Sequence, residues 1–125
     1  MNSKTRAVEL AQKIVSKKGA DVQVFEMKKV ASFTDFFVLA TGTSTRHVKT
    51  LRDEAVKTAR VQGEHALGVE GDPPGRWMLV DLGDIVVHPF EAEARNMYSL
   101  EKLWGEAIPL ELPPDPAARL AQASL

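Results

Sequence analysis

Trp77-Met78-Leu79-Val80-Asp81-Leu82-Gly83-Asp84-Ile85-Val86-Val87-His88 is the stretch on which the fold turns. Apolar residues flank Asp81-Leu82-Gly83-Asp84, so 76–80 and 85–88 read as two strands joined by a tight turn with glycine at its third position. Side chains alternate between the two faces of a sheet. If Met78, Val80, Ile85 and Val87 point toward covering helices, then Trp77, Leu79, Val86 and His88 share the opposite face, ringed by Asp81 and Asp84. Pro89 is expected to end the second strand, because proline has no N–H to give a ladder.

Upstream, Phe36 to Thr41 is a nearly continuous apolar run, as an interior strand covered on both faces requires, and it stops at Gly42. Asp21 to Met27 alternates and reads as another strand. Residues 3–18 carry Ala7, Leu10, Ala11 and Ile14 at helical spacing, with Gly19 as the stop. A second helix starts at Thr43 or Ser44, runs to about Gln62 and buries Val48, Leu51, Ala55 and Ala59; Gly63 closes it. The turn formers of Gly68 to Gly75 read mostly as loop. Residues 91–104 have helical composition, with Met97, Leu100 and Trp104 on an inward stripe. The result is a single α/β domain: a mixed sheet of about five strands with helices mainly on one face. It spans residues 1–112, and 113–125, opening Pro113-Pro114-Asp115-Pro116, reads as a flexible Pro-rich tail.

Composition narrows the function. The 125 residues are 44% hydrophobic and 26% charged, enough for one real core. No apolar run is long enough to span a membrane. The absence of cysteine removes disulfides, a thiolate nucleophile and Cys-ligated metals, and fits a reducing cytosol. His47, His65 and His88 lack metal-ligand spacing, so neither a metal nor a cofactor is expected. Charge is polarised: residues 1–60 hold 12 Lys/Arg against 6 Asp/Glu, and residues 61–125 hold 4 against 11.

Catalytic chemistry finds weak footing. Thr41-Gly42-Thr43-Ser44 is neither a nucleophile elbow nor a Walker loop; it suits an N-cap better than a phosphate site. Asp81 and Asp84 could share a hard cation, but turn stabilisation is the commoner use of such aspartates. A Mg-dependent nucleotidyl or phosphoryl transferase would use both features, yet no Asp-x-Asp pair follows on the next strand. The chain reads as a binder and not as an enzyme. Trp77 anchors either a partner surface, the far side of the core, or a homodimer seam. Lys28, Lys29, Arg46, Lys49, Arg52, Lys57 and Arg60 offer phosphate contacts, with Lys49, Lys57 and Arg60 on the exposed side of the second helix. No aromatic residue is interleaved for base stacking, so any RNA contact is peripheral.

Several long segments together resemble the ribosomal silencing factor (Iojap-like) family. They are residues 32–42 (Ser32 to Gly42), Ser44-Thr45-Arg46-His47-Val48, Glu70-Gly71, the 77–88 stretch, and Arg95-Asn96-Met97-Tyr98-Ser99-Leu100-Glu101-Lys102-Leu103-Trp104. Two departures stand out: Pro89 where the family commonly has an aliphatic residue, and Phe36 where it commonly has tyrosine. The resemblance implies a domain like a degenerate nucleotidyltransferase, often a homodimer. It implies cytoplasmic binding to the large ribosomal subunit through the intersubunit-face protein numbered fourteen, blocking the small subunit and repressing translation in nutrient limitation. The residues it carries over to that contact are Trp77, Leu79, Asp81, His88 and Tyr98.

Overall fold

The first apolar stripe becomes α1 (Ser3–Ser16), which buries Ala7, Leu10, Ala11 and Ile14. The computed structural model describes residues 2–27, 34–94 and 108–110. Asn2 is the N-cap, its side chain accepting the Thr5 N–H. At the other end Lys18, at φ 66°, takes the left-handed position expected of Gly19. Lys18 N–H bonds to Val15 O and Gly19 N–H to Ile14 O, which closes a Schellman motif. Gly19 serves differently: a Cβ there would stand 2.7 Å from Ile14 Cγ2. The second stripe becomes α2 (Thr45–Val61), capped by Ser44 and closed as expected by Gly63 at φ 85°.

The sheet has six described strands: β1 (Ala20–Glu26), β2 (Phe36–Gly42), β3 (Gly68–Gly71), β4 (Met78–Asp81), β5 (Ile85–Glu91) and β6 (Ile108–Leu110). Their order is β3-β4-β5-β2-β1-β6. β2 and β5 run parallel and the other neighbours antiparallel, so the sheet is mixed. β3 occupies part of the stretch that read as loop, and with β6 it brings the count above the expected five.

Two corrections concern the hairpin. Leu82 N–H bonds to Ile85 O at 2.9 Å and Gly83 sits at φ 87°, so the loop is Gly83-Asp84, one residue later than the sequence reading placed it. Pro89 does not end β5, which continues to Glu91. In antiparallel pairing alternate residues bond to a given neighbour. Glu91 N–H donates to Arg76 O and Leu82 pairs with Ile85, so the odd residues of β5 face β4. The N–H that Pro89 lacks is therefore missing only there, and the β4–β5 ladder breaks opposite Met78. On its other side β5 stays paired with β2 through Ala40↔Pro89, Thr41↔Phe90 and Gly42↔Glu91.

The main core lies between the sheet and both helices, with Leu10, Ile14, Leu51 and Ala55 against Val38, Val80, Ile85 and Val87. Fully burying each such large aliphatic chain contributes about 1.5–3 kcal/mol. The other face is also largely buried. Met27, Phe37 and Val86 pack there with Phe25 and Leu79, while Leu39, Phe90 and Ala94 pack with Phe25 and Trp77. Glu91 closes β5, and helical conformation begins at 92–94. Met97, Tyr98, Leu100, Trp104 and the tail 113–125 lie outside the described residues.

Candidate partner-binding face

Trp77 is positioned by the short connection from β3 to β4. Asp72 O accepts the Gly75 N–H at 3.0 Å, with Gly75 at φ 80° turning the chain. Asp72 Oδ1 then accepts the Trp77 N–H at 3.0 Å, and Oδ2 accepts Arg76 Nε at 3.2 Å. The Asp72 N–H returns a bond to Trp77 O at 3.1 Å. Desolvation alone would raise the Asp72 pKa; the hydrogen bonds from Trp77 and Arg76 outweigh it and hold the carboxyl below its usual range. Asp72 is the positioning residue that sequence reasoning missed. Its signal was present as Asp72-Pro73-Pro74-Gly75, an aspartate heading a proline–glycine turn.

Beyond the proline break, Trp77 forms an isolated bridge with Phe90. The indole stacks with His88 at 6.3 Å and 19°, and with Phe90 at 6.3 Å and 26°. His88 and Phe90 are nearly parallel at 5.9 Å, and Phe37 meets His88 edge-on at 4.9 Å. Trp77 is half-buried, and its Nε1 is buried without an acceptor among the described residues. Leu79 and Asp81 are half-buried, and the exposed Glu70 pairs with Leu79 across β3–β4. His88 is only 6% exposed, and burial pushes its pKa down to about 4, so the imidazole is neutral at physiological pH.

The structure therefore divides the expected residues. Trp77, Leu79 and Asp81 lie on one partly open edge of the far face, His88 lies beneath Trp77, and Tyr98 is outside the described residues. Asp84 does not ring this face. From the loop it turns to α1, where Oδ2 accepts from Arg6 Nη1 at 2.7 Å and from Ser3 Oγ. Desolvation raises the Asp84 pKa, but those partners outweigh it and lower it overall. Asp81 Oδ1 accepts the Gly83 N–H at 2.8 Å, the turn use expected of it. Both carboxylates are thus engaged separately, and the described residues contain no group of three His, Asp or Glu arranged to hold a metal.

The Thr41–Ser44 turn behaves as a cap. Ser44 Oγ accepts the His47 N–H at 3.1 Å, and Thr43 N–H donates to His47 Nδ1 at 2.9 Å. A Cβ on Gly42 would come within 3.0 Å of Val48 N, so the glycine serves close strand–helix packing. Among the described residues, the adjoining cleft of about 440 Å³ at the C-terminal ends of β2 and β5 is lined by Glu91 and Glu93 and by no basic side chain, a lining that does not favour phosphate.

Residues 1–124 match the family model described as ribosomal silencing factor during starvation. The chain belongs to the ribosomal silencing factor family. It is 42% identical over 96 residues to ribosomal silencing factor RsfS of Halalkalibacterium halodurans, covering 77% of this chain and 82% of that one. It is 33% identical over 110 residues to the chloroplastic protein Iojap of Zea mays, covering 87% of this chain and 47% of that one. A crystal structure of a Chromobacterium violaceum protein superposes with a TM-score of 0.80 at 32% identity, covering 84% of this chain and 88% of that one. The curated silencing factors among these relatives are named as regulators and not as enzymes. No helix among the described residues is long and apolar enough to cross a membrane.

Proposed function

We propose that this chain binds the large ribosomal subunit in the cytoplasm through the intersubunit-face protein numbered fourteen, and blocks small-subunit joining by occupying the joining face. The observation that carries the reading is the half-open edge holding Trp77 and Leu79, flanked by Asp81 and Glu70, in a chain of this family. An apolar anchor rimmed by carboxylates suits a basic ribosomal protein. Trp77, Leu79 and Asp81 make the contact, and His88 supports the indole from below. Tyr98 is assigned to the contact by the family resemblance alone. Repression needs no chemistry, because a 13.7 kDa domain on that face excludes the small subunit sterically. Peripheral rRNA contact falls to the basic half, and a homodimer would use either the Trp77 face or another surface as its seam.

The test is binding of isolated large subunits by the wild type and Trp77→Ala. Loss of an interface tryptophan costs about 2 kcal/mol, so affinity should fall roughly 30-fold. A folded variant that binds with unchanged affinity would remove Trp77 from the contact. The transferase alternative finds no support in the separately engaged Asp81 and Asp84 or in the capping role of Ser44.

A further inference from the structure

On the opposite side of the sheet from Trp77, the exposed flank of α2 meets the free edge of β3. Val61, Leu67 and Val69 are 80%, 74% and 46% exposed, three of the four exposed large apolar side chains among the described residues. They concentrate on the link from α2 into β3. Beside them a groove of about 420 Å³ has Val56 and Val69 in its lining and Arg52, Lys57 and Arg60 along it. Asp53 holds Arg52 at 2.8 Å. Lys57 and Arg60 make no ion pair among the described residues.

β3 is the terminal strand of the sheet, with no neighbour beyond it among the described residues. Asp72 N–H donates to Trp77 O and Glu70 pairs with Leu79, so the even residues of β3 bond toward β4. By the antiparallel alternation, the amides and carbonyls of Val69 and Gly71 point out from the edge. Natural proteins usually block such edges with charge, proline, a bulge or a very short strand; β3 is short, at four residues, but its outward-bonding positions, Val69 and Gly71, carry neither charge nor proline. Here an open backbone edge, an apolar floor and two unpaired cations coincide.

We propose that this edge and groove form a second docking surface for an extended acidic-apolar peptide of a partner protein. The peptide would add to β3 as a strand, place an apolar side chain over Val56 and Val69, and present carboxylates to Lys57 and Arg60. A phosphate backbone fits less well, since apolar Val56 and Val69 give it nothing and Asp53 lies within the groove. The groove lies across the sheet from the Trp77 indole, although β3 also carries Glu70 on the far face, and the proposal does not depend on the ribosomal reading.

The test is selection of displayed random dodecapeptides on the full-length chain, followed by affinity measurement for synthetic copies of the enriched peptides. The expected winners carry an apolar and an acidic residue two positions apart, so that both lie on the strand face turned to α2, and they slow amide exchange at Val69 and Gly71. Lys57→Glu with Arg60→Glu should weaken them roughly tenfold. Val69→Pro removes only an outward N–H and should weaken them while leaving the thermal midpoint near that of the wild type. Trp77→Ala should leave them unchanged. Enrichment of no peptide, or winners indifferent to both β3 and α2 variants, would overturn the proposal. So would binding of a uridine dodecanucleotide that is lost in the double charge reversal yet untouched by Val69→Pro, because that outcome gives the groove to RNA.

Discussion

Acidification to pH 5 should weaken the fold through the buried His88. Burial holds its imidazole at a pKa of about 4, against an ordinary value of 6.5 when the chain is unfolded. Between those values the unfolded chain binds a proton that the folded chain does not, so stability is full above pH 6.5 and falls as the pH drops. The loss works out at about 2 kcal/mol at pH 5 and about 3 kcal/mol once the pH is below 4. Asp72 and Asp84 have lowered pKa values, so their contributions are lost in solution more acidic than the pH 5–6.5 window. Urea denaturation followed by tryptophan fluorescence at pH 7.5 and pH 5.0 gives the readout. With a slope of 1–3 kcal/mol per molar, the wild-type midpoint should drop by roughly 1 M. His88→Leu should be less sensitive across the same interval. A wild-type midpoint that holds steady, or a variant that keeps the full drop, would refute the stacked, neutral histidine beneath Trp77.

Two further outcomes follow from local geometry. Asp84→Ala leaves the Arg6 guanidinium buried with Glu64, at 3.9 Å, as its one remaining carboxylate among the described residues, and should cost about 2 kcal/mol by thermal or chemical denaturation. The figure is below that of a fully enclosed pair because the Asp84 side chain is 28% exposed. Lys18→Gly relieves a left-handed lysine at the end of α1 and should stabilise the chain by about 1 kcal/mol; a lower denaturation midpoint would contradict the capping geometry.

Both helices were legible because their stripes are regular and their ends carry capping residues. Ser44 and Gly63 do what their residue types suggest, whereas Lys18 sits where glycine was expected because the next residue, Gly19, is needed for close contact with Ile14. β3 was illegible for a physical reason. Two of its four residues are glycine, and it is a strand because β4 pairs with it. Pro89 misled because the rule against proline in strands concerns the side on which its N–H is needed, and β5 is held on the other side by β2.

At the candidate site, alternation along the hairpin correctly placed Trp77, Leu79, Val86 and His88 on the face away from the main core. It did not say how deeply each would lie, and His88 is a buried support beneath the half-buried indole. Asp84 was misplaced because a one-residue shift of the turn moves it out of the strand alternation. There it reaches Arg6, a partner 78 positions away that no local pattern indicates.

Exclusion of the small subunit is the action proposed for the Trp77 edge. Sucrose-gradient sedimentation of the purified chain with dissociated bacterial ribosomal subunits, then reassociation in Mg²⁺, tests it most directly. The chain should travel with the large subunit, and fewer joined ribosomes should form. A chain that stays at the top of the gradient while joining proceeds normally would contradict it.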